Sequence, residues 1–310
     1  MPILNSGCVN SNSARRGSDL TEANRVPVQR RADLLEAASR RFYLTSGTEG
    51  LDGILGGKGF ESGRVYEIYG LSGTGRSNLL HQLVCLALAP ATRGGLGSGV
   101  IYLDVEGSFS PRHLRRLANR FQVNPTLIDR KILCAHPPTS AILLMLCETP
   151  LEKQVKATGA RLICLDGIAT HFLAEYGYKR ETYRVRQVKA MRVLSTLIQV
   201  TRQFNAIVIF TNMIADQECI DLEQEEEARE VIEDYKELYR EPRPTHPPYC
   251  QRFHPNSVGG LADVSIYAQS RSSTVKRFIL QRAVDLPLAD CSLTLTESGF
   301  YDFEEVPKTE

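Results

Sequence analysis

The chain has 310 residues, 42% of them hydrophobic, enough to bury a sizeable core in one large domain or two smaller ones. Its formal net charge of +1 excludes a global electrostatic pull toward nucleic acid or anionic membrane, so any such binding must run through local patches. No apolar run is long enough to span a bilayer and no signal-peptide pattern occurs, so no membrane partner is expected. The eight cysteines form no C-x-x-C, which argues against a zinc site and suits a reducing compartment, cytosol or nucleus. Cys85, Cys134 and Cys164 sit inside apolar runs and are expected to pack as small hydrophobes.

Residues 1–25 are rich in Ser, Asn, Arg and Gly and read as a disordered tail. A short helix is expected over 29–41, with Leu34, Leu35 and Ala38 on one side. From Phe42 onward strands and helices alternate. The strands predicted are Val65–Tyr69, Val100–Asp104, Lys131–Ala135, Leu162–Asp166, Ala206–Thr211, Phe278–Gln281 and Ser292–Thr296. Helices are predicted over Ser77–Leu88, Pro111–Phe121, Thr139–Cys147 and Thr182–Phe204. Repeated βα units imply an α/β fold with a mainly parallel twisted sheet flanked by helices, its last strands antiparallel. The core is expected to run from 42 to about 306. Asp216 to Pro255, acidic and then proline-rich, reads as an insertion between two strands.

The stretch "VYEIYGLSGTGRSNLLHQL" has the form of a phosphate-binding loop, strand before and helix after. Gly70, Gly73 and Gly75 are expected to give the backbone positive φ and close approach to an anion, with Ser72 and Thr74 between them. The helix opening at Arg76 would aim free N–H groups and its positive dipole end at the phosphates, and Ser77 would offer a hydroxyl to Mg²⁺. The pattern calls for lysine where Arg76 stands. Three more strand tips carry polar groups: Glu106 beyond one, Asp166 at the end of "RLICLDG", and Thr211–Asn212.

These segments, with "TSGTEGLDGILGG" and "VDLPLADCSLTLTESG", occur in the order seen in RecA-like recombinases of the archaeal and eukaryotic branch, and the chain resembles that family over about 42–304. The resemblance implies a RecA-like P-loop ATPase core binding ATP and Mg²⁺. It puts Arg76 at the phosphate-lysine position, and Ser77 and Asp166 at the metal. Glu106 falls where the family's glutamate activates water, and Asp285 and Pro287 where a cap covers a neighbouring subunit's ATP. Met213 replaces a glutamine that senses the γ-phosphate, and its thioether cannot hydrogen-bond in that way. The family's N-terminal DNA-binding domain is not expected before Phe42, and Val28 to Arg31 does not supply its phenylalanine docking motif.

One DNA-contacting loop of the family corresponds to "EYGYKRETYRVRQ". Lys179, Arg180, Arg184 and Arg186 alternate there with tyrosines, as suits single-stranded DNA. The second corresponds to the insertion, where Asp221 to Arg240 holds nine acidic and three basic residues and would repel phosphates. Two functions follow from the resemblance. One is a nuclear accessory recombination protein that binds ATP, single-stranded DNA and other recombinase-type subunits and hydrolyses ATP weakly. The other is a pseudo-ATPase that serves only as an interaction subunit.

Overall fold

The run VYEIYG is buried at every position, which requires helices on both sides, and it forms a central strand. The computed structural model describes residues 40–148, 150–177, 180–216, 250–252 and 258–303. The expected N-terminal tail, residues 29–39 of the expected helix, Lys179, and residues 217–249 and 253–255 of the insertion lie outside the described residues, and residues 40 and 41 are not helical.

In chain order the main elements are β1 (Tyr43–Leu44), α1 (Glu49–Ile54), β2 (Phe60–Glu61), β3 (Val65–Gly70), α2 (Arg76–Leu88), β4 (Gly99–Asp104), α3 (Pro111–Arg120), α4 (Thr126–Lys131) and β5 (Ile132–Ala135). There follow α5 (Ser140–Glu148), α6 (Pro150–Thr158), β6 (Ala160–Asp166), α7 (Thr170–Tyr176), α8 (Arg180–Phe204), β7 (Ile207–Asp216), β8 (Cys250–Arg252), β9 (Val264–Ser270), β10 (Val275–Ala283), β11 (Asp290–Thr296) and β12 (Gly299–Asp302). β1 and β2 pair by themselves. The remaining strands make one sheet ordered β12-β11-β10-β9-β3-β7-β6-β4-β5, with β8 beside β7. Strands β3 to β7 and β9 are mutually parallel, and β10, β11 and β12 are antiparallel, as the sequence implied.

Alternate strand residues face opposite ways, so the sheet divides two cores. Tyr66, Ile68, Tyr102, Cys164 and Ile209 pack against α2 and α3 on one face. Val65, Leu103, Leu165, Val208 and Phe210 pack against α5, α6 and α8 on the other.

Three expectations need correction. β7 does not stop at Thr211 but continues to Asp216, because Ile214–Asp216 gain an antiparallel partner in β8. Within the inserted segment, Asp216 and Cys250 are therefore laddered to each other rather than irregular. β9 was not predicted as a strand, although its first five residues are buried. Cys134 is exposed on the edge strand β5, although its neighbours Ile132 and Leu133 pack against the two cores, while Cys85 and Cys164 are buried as expected.

Candidate nucleotide site

Parallel strands present their carboxyl ends along one edge, and the polar residues gather there. β3 ends at Gly70 and α2 starts at Arg76, so Leu71–Gly75 is the whole turn. Gly73 and Gly75 hold the expected positive φ, 76° and 86°. Gly70 does not. Its lack of a side chain serves packing instead, because a Cβ there would lie 2.2 Å from the Ala268 carbonyl oxygen. Nothing lies within 4 Å of where a Cβ on Gly73 would sit. Among the described residues no backbone carbonyl accepts from the N–H groups of Ser72 to Gly75, and the Ser77 hydroxyl has no hydrogen-bond partner. An anion at the mouth of the loop would find these donors unused, so the residues present fit the phosphates of a nucleotide.

Arg76 is folded back onto its own loop. Its Nη1 donates to the Gly70 carbonyl, to the Leu71 carbonyl at 2.6 Å and to Thr74 Oγ1 at 3.4 Å. Its Nε is buried without a partner. Burial lowers the guanidinium's pKa, against the pull of the Glu106 and Asp166 carboxylates. The Thr74 hydroxyl is spent within the turn, on the Leu71 carbonyl at 2.9 Å.

Asp166 is fully buried at the tip of β6. Its Oδ2 accepts from Tyr102 at 2.8 Å and from Ser108, and its Oδ1 from Thr211 at 2.6 Å. Three hydroxyls therefore surround the carboxylate, and it could meet a magnesium ion only through water. Ser77 remains the residue whose oxygen is open to the metal. Glu106 lies over Gly167, where a Cβ would fall 2.3 Å from Glu106 Cγ, and its Oε1 is 3.4 Å from Thr170 Oγ1. Part of its side chain reaches solvent. Loss of hydration among the strand tips, then the Asp166 charge, raises its pKa, and Arg76 opposes this.

Some polar groups of this edge had no signal in the sequence. Asp104 accepts from the N–H groups of Ser108 at 2.9 Å and Phe109 at 3.1 Å, and so shapes the turn that carries Glu106. Glu67, fully buried mid-strand, accepts from Asn212 at 2.8 Å and Ser265 at 2.9 Å on the two flanking strands. Asn212 thus serves the sheet rather than the loop. Met213 pairs in register with Gly70, and its half-buried side chain packs against the apolar core on the α8 face.

His81 of α2 is 3% exposed, stacks on Tyr102 at 5.7 Å and accepts from the Ser110 N–H at 3.3 Å. Burial, then the charge of His113, pushes its pKa down to about 4. The unfolded chain takes up this proton first, so the contribution to stability is complete above the ordinary value of 6.5 and is lost as pH falls toward 4. The expected loss is up to ~3 kcal/mol. His81→Gln should flatten urea-measured stability across that window, and an unchanged pH slope would refute the assignment.

Asp285 forms a two-pronged ion pair with Arg64, which holds its carboxyl below the usual range. Arg64 precedes β3, so this segment sits at the opposite end of the strand from the loop, about 20 Å away. Val284, Pro287 and Leu288 beside it are exposed. Asp285 and Pro287 therefore cannot cover this chain's own phosphate loop, as a cap acting on a neighbour requires. Among the expected DNA cations, Arg180 opens α8 and Arg184 is exposed. Arg186 is only 5% exposed, 6.0 Å from the Tyr183 ring. It turns to the inner side of α8, so the structure does not present it to a phosphate backbone.

A parallel sheet with a phosphate loop behind its central strand and a buried aspartate at the tip of β6 defines a RecA-like core. The chain belongs to the Rad51 family, whose profile matches residues 38–230. It is similar to the DNA repair and recombination protein RadA of Metallosphaera sedula, 30% identical over 171 residues, 55% of this chain and 52% of that protein. The RadA of Cenarchaeum symbiosum is 30% identical over 172 residues, 56% of this chain and 42% of that protein. The meiotic recombination protein DMC1/LIM15 homolog of Mus musculus is 33% identical over 177 residues, 56% and 52% of the two chains. The chain spans about half the length of these relatives.

Proposed function

We propose that this chain is an ATP-binding recombinase paralogue, an accessory factor in homologous recombination and double-strand break repair in the nucleus. It binds single-stranded DNA and other recombinase-type subunits and hydrolyses ATP weakly. The observation that carries this reading is Arg76, at the phosphate-lysine position of an open loop and bonded to that loop's own carbonyls. The backbone donors of Ser72–Gly75 would hold the phosphates, and the Ser77 hydroxyl would hold a magnesium ion, whose charge would offset theirs. Glu106 is the base for water, and Asp285 with Pro287 caps a neighbouring subunit's nucleotide.

The DNA contact is local, through Lys179, Arg180 and Arg184, with the exposed Tyr183 ring as a stacking surface. Alanine at Lys179 and Arg184 together should weaken single-strand binding and reduce the slope of log affinity on log salt by about 1–2. An unaltered slope would remove these residues from the interface. Arg186 burial lends weight to the second reading, a pseudo-ATPase used only as an interaction subunit, and wild type that binds no DNA would select it. Assembly with other recombinase-like chains is expected to stop at a defined size. Long homofilaments in sedimentation or electron microscopy, with ATP and single-stranded DNA, would contradict that.

A further inference from the structure

Of the groups that would meet the outermost phosphate of a nucleoside triphosphate, the cation and the buried carboxylate are turned onto the protein. Arg76 is bonded to the Gly70 and Leu71 carbonyls. Asp166 is surrounded by the hydroxyls of Tyr102, Ser108 and Thr211. Glu106 leans over Gly167 toward Thr170. Met213, in register with the last residue of β3, offers only a half-buried thioether packed against the core. The groups that would meet the inner phosphates are open: the N–H groups of Ser72 to Gly75, and the Ser77 hydroxyl.

We propose that this site accepts nucleoside diphosphates and triphosphates alike, reading the α- and β-phosphates and not the third. The inference rests on the nucleotide reading above and deepens it. A guanidinium is a rigid planar fork, and to reach a third phosphate it must rotate as a whole. The loop resists that rotation. On the helix side it is closed by Phe300, whose ring edge lies 2.7 Å from where a Cβ on Gly75 would be. Rotation also surrenders two charge-assisted bonds, taking the guanidinium from the Gly70 carbonyl and leaving the Leu71 carbonyl only the Thr74 hydroxyl. A bound triphosphate therefore gains little from its last group, whose charge faces the Glu106 and Asp166 carboxylates while the Arg76 guanidinium stays turned onto the Gly70 and Leu71 carbonyls. The site behaves as a holder of a diphosphate unit, filled by whichever nucleotide is abundant.

Calorimetric titration of the full chain with ATP, ADP and AMP in the presence of Mg²⁺ tests this directly. ATP and ADP should bind within about threefold of each other, and AMP about 100-fold or more weaker. ATP binding about tenfold or more tighter than ADP would overturn the inference while leaving the nucleotide site standing. Binding of none of the three would overturn both. Arg76→Lys should raise the preference for ATP over ADP by about tenfold, because an ammonium on a flexible stem can leave the carbonyls for the phosphate. Met213→Gln should move the preference in the same direction and serves where the lysine variant is not folded. If neither folded variant shifts the ratio, the assignment to these residues is wrong.

Discussion

Replacing Arg76 by lysine is expected to raise single-turnover ATP hydrolysis by about 100-fold, the scale on which a misplacement of ~1 Å at a reacting centre is felt. The arginine keeps the charge but spends it on the Gly70 and Leu71 carbonyls, away from the phosphates. Lysine carries one compact charge on a flexible stem and can follow the phosphoryl group as its charge shifts. Met213→Gln alone should help less, since a glutamine at that position still lacks a cation to work with. If the two positions share one defect, the double variant will exceed the combined single effects. Quenched-flow measurement of phosphate release decides the matter. A lysine variant no faster than wild type would show that Arg76 is not what limits turnover.

Thr211→Val should destabilise the fold by about 4 kcal/mol, a large effect for the removal of one hydroxyl. Thr211 is buried, gives its proton to Asp166 at 2.6 Å and accepts the Gly167 N–H at 2.7 Å. Valine keeps the shape and removes both functions. It leaves a buried carboxylate short of a donor, which costs ~1.5–3 kcal/mol, and an orphaned buried N–H, which costs ~1–3 kcal/mol. Thr211→Ser restores the hydroxyl and should recover most of the loss. Urea denaturation of the three proteins is the check, and a valine variant within about 1 kcal/mol of wild type would refute the role.

The glycine turn between β3 and α2 was legible because its geometry is backbone geometry. Glycines at fixed spacing between a strand and a helix state the geometry before any partner is known. The mainly parallel sheet followed from the alternation of apolar runs with amphipathic helices, though not its strand order, and the helix predicted over Thr182–Phe204 differs from α8 by two residues at its start. What could not be read were pairings distant in sequence. Asp166 looked like a bare carboxylate, yet Tyr102, Ser108 and Thr211 reach it from β4, the turn beyond it, and β7. Glu67 gave no signal at all, because its partners Asn212 and Ser265 lie on two other strands. Arg186 read as a DNA cation by its company, and only the rotation of α8 shows it turned inward. The end of β7 was misplaced for a similar reason. Ile214–Asp216 owe their extended form to β8, which follows a long acidic stretch that carries no strand signal.

That last pairing gives the protein a graft point. Ile214–Asp216 and Cys250–Arg252 are hydrogen-bonded side by side, so whatever chain joins them begins and ends at neighbouring positions. Doubling the length of a flexible connection adds only ~0.6 kcal/mol of closure entropy. A foreign domain whose own termini lie close together could therefore be spliced between them without prising the sheet apart. Because Met213 is one residue from this clasp and in register with Gly70, a fluorescent reporter inserted there would sit one strand away from the phosphate loop and could signal its filling.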